Sequence, residues 1–131
     1  MRDVSTAVIR QDDRILICQR PPHKGNALKW EFVGGKSEEG ETLEETLIRE
    51  SKEELDVVVS VGEKIMEIVH SYPDETYRIS IFNAEIIDGT PKLLEHVDMK
   101  WIKPQDIDKY DFCTANKKIL EKIKEMNSEK A

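Results

Sequence analysis

Eight glutamates lie within a short stretch near the middle of the chain, between positions 38 and 54. Three of them, Glu50, Glu53 and Glu54, have the three- and four-residue spacing that brings side chains onto one helix face. Carboxylate oxygens are the ligands that Mg²⁺ and Mn²⁺ prefer, and these cations commonly bridge carboxylates to phosphates. The cluster predicts a divalent-metal site for a phosphorylated substrate or, as the alternative, an acidic helix face exposed to water.

A helix must position these carboxylates, and segment 42–55, which contains no glycine or proline, is predicted to form it. Segments rich in β-forming residues predict strands at 5–10, 14–20, 57–61, 64–70, 77–87 and 100–102. A final amphipathic stretch predicts a helix at 116–126. Strands on both sides of a helix predict an α/β class with a mixed sheet. We expect one domain over residues 1–131, with 127–131 as a frayed tail.

The composition excludes several classes of function. Twenty basic and 27 acidic residues give a net charge of −7, which disfavours binding to a nucleic acid polymer. There is no apolar run of about 18 residues and no secretory signal, so no membrane segment is predicted. Cys18 and Cys113 lack a CxxC spacing and are too few for a disulfide framework. We therefore expect a reduced, cytoplasmic protein whose partner is a small molecule.

Two further motifs are weaker. Gly35-Lys36-Ser37 imitates the end of a P-loop, but Trp30 stands where that motif needs its first glycine. The histidines at 23, 70 and 96 lack metal-ligand spacing. No zinc site is predicted, and His96 is expected to be an ordinary loop residue, with an approach to the cleft beside Glu95 as the alternative.

The wider spacing around the glutamates resembles the Nudix box, G-x5-E-x7-R-E-U-x-E-E-x-G-U, in which U is an apolar residue. The chain matches this pattern at seven positions, which are Gly35, Glu41, Arg49, Glu50, Glu53, Glu54 and Val57. It departs at Ser51, where an apolar residue is usual, and at Asp56, where glycine is usual. A glycine there supplies a left-handed conformation that aspartate adopts less readily, so strain or a shifted loop is expected at Asp56.

Segments outside the box resemble the MutT-like members of the Nudix family. These are the run 29–36 that leads into the box, the segment 72–74, Glu95 before Trp101, and the segment 111–116. The resemblance implies an α/β/α sandwich with a mixed sheet. It also implies hydrolysis of a nucleoside diphosphate linked to a further group. MutT-like members release nucleoside monophosphate and pyrophosphate by attack of water at the β-phosphorus.

The resemblance assigns a metal site to the box, with Mg²⁺ as the expected ion and Mn²⁺ as a substitute. The implied metal-binding residues are Gly35, through its carbonyl oxygen, and Glu41, Glu50, Glu53 and Glu54, with Glu41 organising the site or its loop. Arg49 is expected to orient the glutamates through charge-assisted hydrogen bonds. Glu53 and Glu95 are the leading candidates for the general base, ahead of Glu50.

Four residues are candidates to contact the nucleotide. Arg20 is assigned to phosphate or base, with a solvated strand end as the alternative. Phe32 and Tyr72 are candidates to sandwich a base, and ordinary packing is the alternative for each. Asn116 offers a donor and an acceptor to a purine edge, although asparagine also suits the cap of the final helix.

The resulting prediction is a Mg²⁺-dependent enzyme that hydrolyses (deoxy)nucleoside triphosphates, including oxidised purine nucleotides such as 8-oxo-dGTP. The alternative is a pyrimidine triphosphate (CTP or dCTP) or another nucleoside diphosphate conjugate in the same site. A non-catalytic nucleotide-binding module is less favoured, because all the glutamates of the box are present. We expect a monomer or a homodimer.

Overall fold

The computed structural model describes residues 1–130, with side chains through residue 128. Its elements follow in this order: β1 Arg2–Gln11, β2 Arg14–Gln19, β3 Trp30–Glu31, β4 Val33–Lys36, α1 Leu43–Leu55, β5 Val58–Ser71, β6 Thr76–Asp88, β7 Asp98–Ile102 and α2 Lys117–Lys130. Two 3₁₀ helices, Pro104–Lys109 and Thr114–Asn116, connect β7 to α2. Among the described residues, no helix combines the length and the apolar character that crossing a membrane requires.

The strands form a mixed sheet that divides at β1. The first part of β1 pairs antiparallel with β4 and parallel with β6, and the parallel pairing ends at Ile9 and Ala84. The end of β1 pairs instead with β2, beginning with Arg10 and Ile15. Strand β2 also pairs with β3 and β7, while β6 pairs with β5. The sheet therefore forks where β1 leaves β6.

Helices cover both faces of the sheet. Successive residues of a strand point to opposite sides, so one strand contacts the helix on each face. Ala7 packs in a core with Leu47 of α1, whereas Val8 packs in a second core with Ile119 and Ile123 of α2. The structure confirms the α/β class with a mixed sheet that the residue pattern predicted, and its layers form the α/β/α sandwich that the resemblance implied.

Helix α1 begins and ends with well-defined caps. The Thr42 hydroxyl accepts a hydrogen bond from the Glu45 amide at 3.1 Å, and the Glu45 carboxylate accepts one from the Thr42 amide at 2.9 Å. At the other end Asp56 adopts the left-handed conformation, with φ 54° and ψ 43°. Its carboxylate forms ion pairs with Lys52 at 2.8 Å and Lys92 at 3.1 Å. The strain expected at Asp56 therefore lies in its own backbone.

Two predicted boundaries were wrong. The strands predicted at 57–61 and 64–70 are one strand, because register shifts between Val61 and Met66 absorb the intervening residues without ending the ladder. Helix α2 continues to Lys130, past the predicted end at Met126, since the residues that follow include no glycine or proline. The frayed tail predicted for 127–131 is therefore helical through Lys130, and Ala131 lies outside the described residues.

Candidate active site

A polar cavity of about 190 Å³ lies where β3, β4 and α1 meet the loops that follow β2 and precede β7. Four carboxylates line it, those of Glu31, Glu50, Glu54 and Glu95. Three basic side chains line it as well, those of Arg20, Lys24 and His96. Concentrated carboxylate charge beside basic groups is the setting in which a metal ion and a phosphate chain bind together.

Glu54 is the most buried of these carboxylates, with 7% of its side chain exposed. Its Oε2 is buried and has no hydrogen-bond partner. Burial, followed by the charges of Glu50, Glu95 and Glu31, raises the pKa of Glu54 to about 9, although a hydrogen bond from the Gly34 amide opposes this. An oxygen without a partner among several carboxylates suits a hard cation, which would neutralise their mutual repulsion.

Arg49 connects the carboxylates of the box. Its guanidinium donates to both oxygens of Glu41, at 2.6 and 3.1 Å. It also donates to Glu50 Oε1 at 2.9 Å, to Glu53 Oε2 at 3.4 Å and to the Lys36 carbonyl at 3.1 Å. The hydrogen bond from Arg49 is the main cause that lowers the pKa of Glu41 to about 2. Burial raises the pKa of Glu50, although its bond to Arg49 opposes the shift.

The predicted metal-binding residues are divided between two environments. Glu50 and Glu54 line the cavity, whereas Glu41 and Glu53 lie outside its lining. The oxygens of Glu41 are engaged by Arg49, by the amide of Glu38 at 2.8 Å and by the hydroxyl of Thr46 at 3.0 Å. The Glu53 side chain is half-exposed. Within the described residues, no three histidine, cysteine or acidic side chains converge closely enough, as arranged here, to hold a metal ion.

Two residues that were not among the predicted site residues complete the cavity wall, namely Glu31 and His96. His96 is buried, and its Nε2 lies 2.9 Å from Glu31 Oε2 and 3.8 Å from Glu54 Oε1. The expectation that His96 is an ordinary loop residue was therefore wrong, and its side chain approaches the cleft, as in the alternative. Burial raises the pKa of Glu31, but hydrogen bonds with His96 and Arg20 and their charges outweigh it and lower the pKa overall.

These two residues differ in how far the sequence could have revealed them. Glu31 lies in a strand between buried Trp30 and Phe32, so the period-two alternation turns it to the other face. His96 carries no such signal. Its position depends on the loop before β7, where the Leu94 amide contacts the Glu54 carbonyl at 3.4 Å and the Val97 amide contacts the Gln19 carbonyl at 3.0 Å.

Arg20 and Phe32 both line the carboxylate cavity. The Arg20 guanidinium donates to Glu31 Oε1 at 3.0 Å and to the Gly25 carbonyl at 2.7 Å, so it is held in place and is not a solvated strand end. Phe32 is buried and stacks on Phe112, with ring centroids 5.7 Å apart.

Tyr72 lies at a second, more apolar cavity of about 410 Å³, which Asn26 and Ala115 also line. Its side chain is half-exposed, and its ring lies edge-on to His70. Asn116 follows Ala115 and is the last residue of the 3₁₀ helix before α2. Phe32 and Tyr72 therefore lie at different cavities, and loop 21–29 borders both.

The chain is similar to known proteins over most of its length. A family model described as the NUDIX domain matches residues 5–122. The chain is 31% identical to the CTP pyrophosphohydrolase of Escherichia coli K12, over 92% of this chain and 90% of that protein. It is 27% identical to the 8-oxo-dGTP diphosphatase of the same organism, over 94% and 96% of the two chains.

The fold gives the same result. The solution structure of the E. coli ORF135 protein matches with a TM-score of 0.81 at 31% identity, covering 97% of this chain and 91% of that one. The match of the domain model, the relatives with pyrophosphohydrolase names and the shared fold lead to one conclusion: this chain belongs to the Nudix hydrolase family.

Proposed function

We propose that this Nudix hydrolase cleaves (deoxy)nucleoside triphosphates to nucleoside monophosphate and pyrophosphate, that it requires Mg²⁺ or Mn²⁺, and that 8-oxo-dGTP is a substrate. The observation that carries the proposal is the buried Glu54 oxygen without a partner, in a cavity that three further carboxylates and two cationic side chains line. This combination suits a metal ion and a phosphate chain together.

The donors on this chain fit a divalent cation. Glu50 and Glu54 both line the cavity, and Gly35, whose carbonyl is a further donor, lies against the Glu50 carboxylate. These groups would hold the ion. Glu53, three residues after Glu50 on α1, would add a further carboxylate donor on the solvent side. A bound Mg²⁺ neutralises phosphate charge and lowers the pKa of a coordinated water.

The remaining side chains of the cavity orient the substrate and accept the proton. Arg20 and Lys24 present positive charge to the phosphates, and Glu31 fixes the Arg20 guanidinium in one orientation. The proton of the attacking water goes to a carboxylate, for which Glu53 and Glu95 are the candidates. Glu95 lines the cavity, whereas Glu53 lies outside its lining and accepts a hydrogen bond from Arg49.

The second cavity suits the nucleobase. It is more apolar than the carboxylate cavity, and Tyr72 offers an aromatic ring at its wall. Asn116, adjacent to the wall residue Ala115, would read the edge of the base. Because loop 21–29 borders both cavities, one nucleotide would extend past it, with its phosphates among the carboxylates and its base beside Tyr72.

The test is a turnover panel with Mg²⁺, containing 8-oxo-dGTP, dGTP, CTP and dCTP, with the products resolved. We expect monophosphate and pyrophosphate, and no inorganic phosphate as a primary product. Preference for 8-oxo-dGTP supports the proposed substrate, whereas preference for CTP or dCTP assigns the pyrimidine alternative. No turnover of any triphosphate while Mg²⁺ still binds contradicts the proposal, and nucleotide conjugates are then the next substrates to test.

A further inference from the structure

A further cavity, separate from the two described above, lies at the fork in the sheet where β1 leaves β6. Strand β1 leaves β6 after Ile9, while β6 continues beyond Ala84 to Asp88. A cavity of about 510 Å³ occupies the space between the separating strand ends and is larger than the carboxylate cavity, of about 190 Å³. Its lining includes Arg10 and Trp101, and it shares no residue with the lining of the carboxylate cavity.

Arg10 lines this fork cavity, and it also lines a neighbouring cavity of about 220 Å³ together with Asn83 and Glu85. Its Nε donates to Asn83 Oδ1 at 2.7 Å, but its Nη2 is buried and has no hydrogen-bond partner. Among the described side chains no carboxylate forms an ion pair with Arg10, and burial alone lowers its pKa. Arg49 and Arg20, by contrast, each donate to carboxylates.

A partly buried guanidinium that no carboxylate pairs with destabilises the folded protein, because only part of its lost hydration is replaced. An oxyanion would replace it, since the guanidinium presents donors that match carboxylate and phosphate oxygens. Trp101 and Ile86 add apolar surface to the same lining. Asp88 also lines the cavity, and its charge disfavours a multiply charged group such as a triphosphate.

We propose that the fork cavity binds a small oxyanion, a carboxylate or a single phosphate group, whose oxygens accept hydrogen bonds from Arg10 in a molecule that packs against Trp101. This site is independent of nucleotide hydrolysis. It combines a guanidinium that no carboxylate pairs with and a cavity large enough for a small molecule.

The two tryptophans of the chain provide a direct readout, since Trp101 lines the fork cavity and Trp30 lies in the core beside α2. Acetate, inorganic phosphate and a nucleoside monophosphate are titrated separately into the Mg²⁺-loaded protein at constant ionic strength. The indole N–H resonances are assigned with Trp30→Phe. We expect the Trp101 signal to shift with saturation in each titration, and acetate, which is not a product of the proposed reaction, to leave the Trp30 signal fixed.

Variants connect the response to the guanidinium. Arg10→Gln should weaken binding about tenfold or more, as expected when a charge-assisted hydrogen bond is lost. Arg2→Gln is the matched control, because Arg2 is exposed at the start of the same strand and lies outside the cavity lining, and it should bind as the wild type does. Arg10→Lys, which keeps the charge, should bind with intermediate affinity. A Trp30 resonance at its wild-type position before any anion is added reports that each variant is folded.

The outcomes separate the possible ligands. Saturation by acetate alone identifies a carboxylate ligand, and saturation by phosphate and the monophosphate alone identifies a phosphate ligand. Saturation by all three supports a general oxyanion site. Shifts that grow linearly without saturation for every anion overturn the proposal. Equal affinity in the wild type and in Arg10→Gln overturns it as well.

Discussion

Gly35 faces the carboxylate of Glu50 so closely that there is no room for a side chain. A β-carbon at position 35 would lie 2.5 Å from Glu50 Oε1 and 2.6 Å from its carboxyl carbon. Glu50 cannot move aside freely, because Arg49 donates to the same oxygen at 2.9 Å. Gly35 does not have a positive φ, so the carboxylate, and not the backbone conformation, requires glycine at this position.

Gly35→Ala should therefore displace Glu50 and slow hydrolysis about 10- to 100-fold, the loss typical when a metal ligand is misplaced. The added methyl group forces either the Glu50 carboxylate or the β4 backbone to shift. Turnover and Mg²⁺ affinity are the measurements. Gly25→Ala is the control, because a β-carbon there meets no atom within 4 Å and should leave both quantities unchanged. Wild-type turnover in Gly35→Ala would show that Glu50 can move without loss.

Glu53→Gln and Glu95→Gln distinguish a metal ligand from a general base. Each substitution removes a negative charge and keeps the shape of the side chain. Glu53→Gln should reduce turnover by orders of magnitude while leaving the fold intact. If the residue changed is a ligand, raising Mg²⁺ restores part of the rate. Loss of a base costs about 10²- to 10⁴-fold at every Mg²⁺ concentration.

The matched control for both substitutions is Glu44→Gln, an exposed glutamate in the first turn of α1. It should keep wild-type turnover. Full activity in both Glu53→Gln and Glu95→Gln would contradict both assignments, and Glu50 would become the candidate base. Melting curves of all three variants report whether the fold is intact.

The raised pKa of Glu54 predicts that Mg²⁺ binding releases a proton. Burial and neighbouring carboxylates raise this pKa from 4.5 to about 9, so the folded, metal-free protein binds the proton more tightly than the unfolded chain. The stability that this proton contributes is fully present below about pH 4.5 and is lost as pH rises through about 9. In EDTA, the urea midpoint should decline over this range.

Glu54→Gln should remove this part of the decline, because an amide does not titrate. At pH 7, calorimetric titrations of Mg²⁺ in buffers with different ionisation enthalpies should show proton release in the wild type. The same titrations should show less release in Glu54→Gln. Equal proton release in the two proteins would assign the proton to another group.

The sequence predicted those features of the fold that depend on local interactions. Helix α1 was predicted correctly because its cap at Thr42 and its freedom from helix breakers are local properties. The continuity of β5 was not predicted. Gly62 interrupts the local strand pattern, but pairing with β6 on both sides of it makes the two segments one bulged strand. His96 was missed for the same reason, since contacts to Gln19 and Glu54, both distant in sequence, position its loop.

The departure at Ser51 should be measurable as lost stability. Ser51 is fully buried on α1, and its Oγ has no hydrogen-bond partner. Ser51→Ala removes this unsatisfied group and changes the volume little, so the free energy of unfolding should rise by about 1 to 2 kcal/mol. Urea unfolding provides the measurement, and Ser128→Ala, at an exposed helical serine, is the control. Destabilisation by Ser51→Ala would show that the hydroxyl makes a hydrogen bond in solution.

A chain of hydrogen bonds links His96, Glu31 and Arg20. His96 contacts one oxygen of Glu31 at 2.9 Å, and Arg20 donates to the other at 3.0 Å. His96→Leu removes the support on one side, so Glu31 and the Arg20 guanidinium lose their fixed orientation. Because Arg20 is proposed to bind phosphate, KM for the triphosphate should rise about tenfold, as when a charge-assisted hydrogen bond is lost, with a smaller change in kcat.

His96→Gln is the conservative variant, because its amide can still donate to Glu31. It should keep KM within a few-fold of the wild type, whereas a role limited to packing would be served better by leucine. Steady-state kinetics on the best substrate of the panel give KM and kcat separately, and melting temperatures report the fold. Equal KM values in the leucine and glutamine variants would show that the hydrogen bond from His96 does not position Arg20.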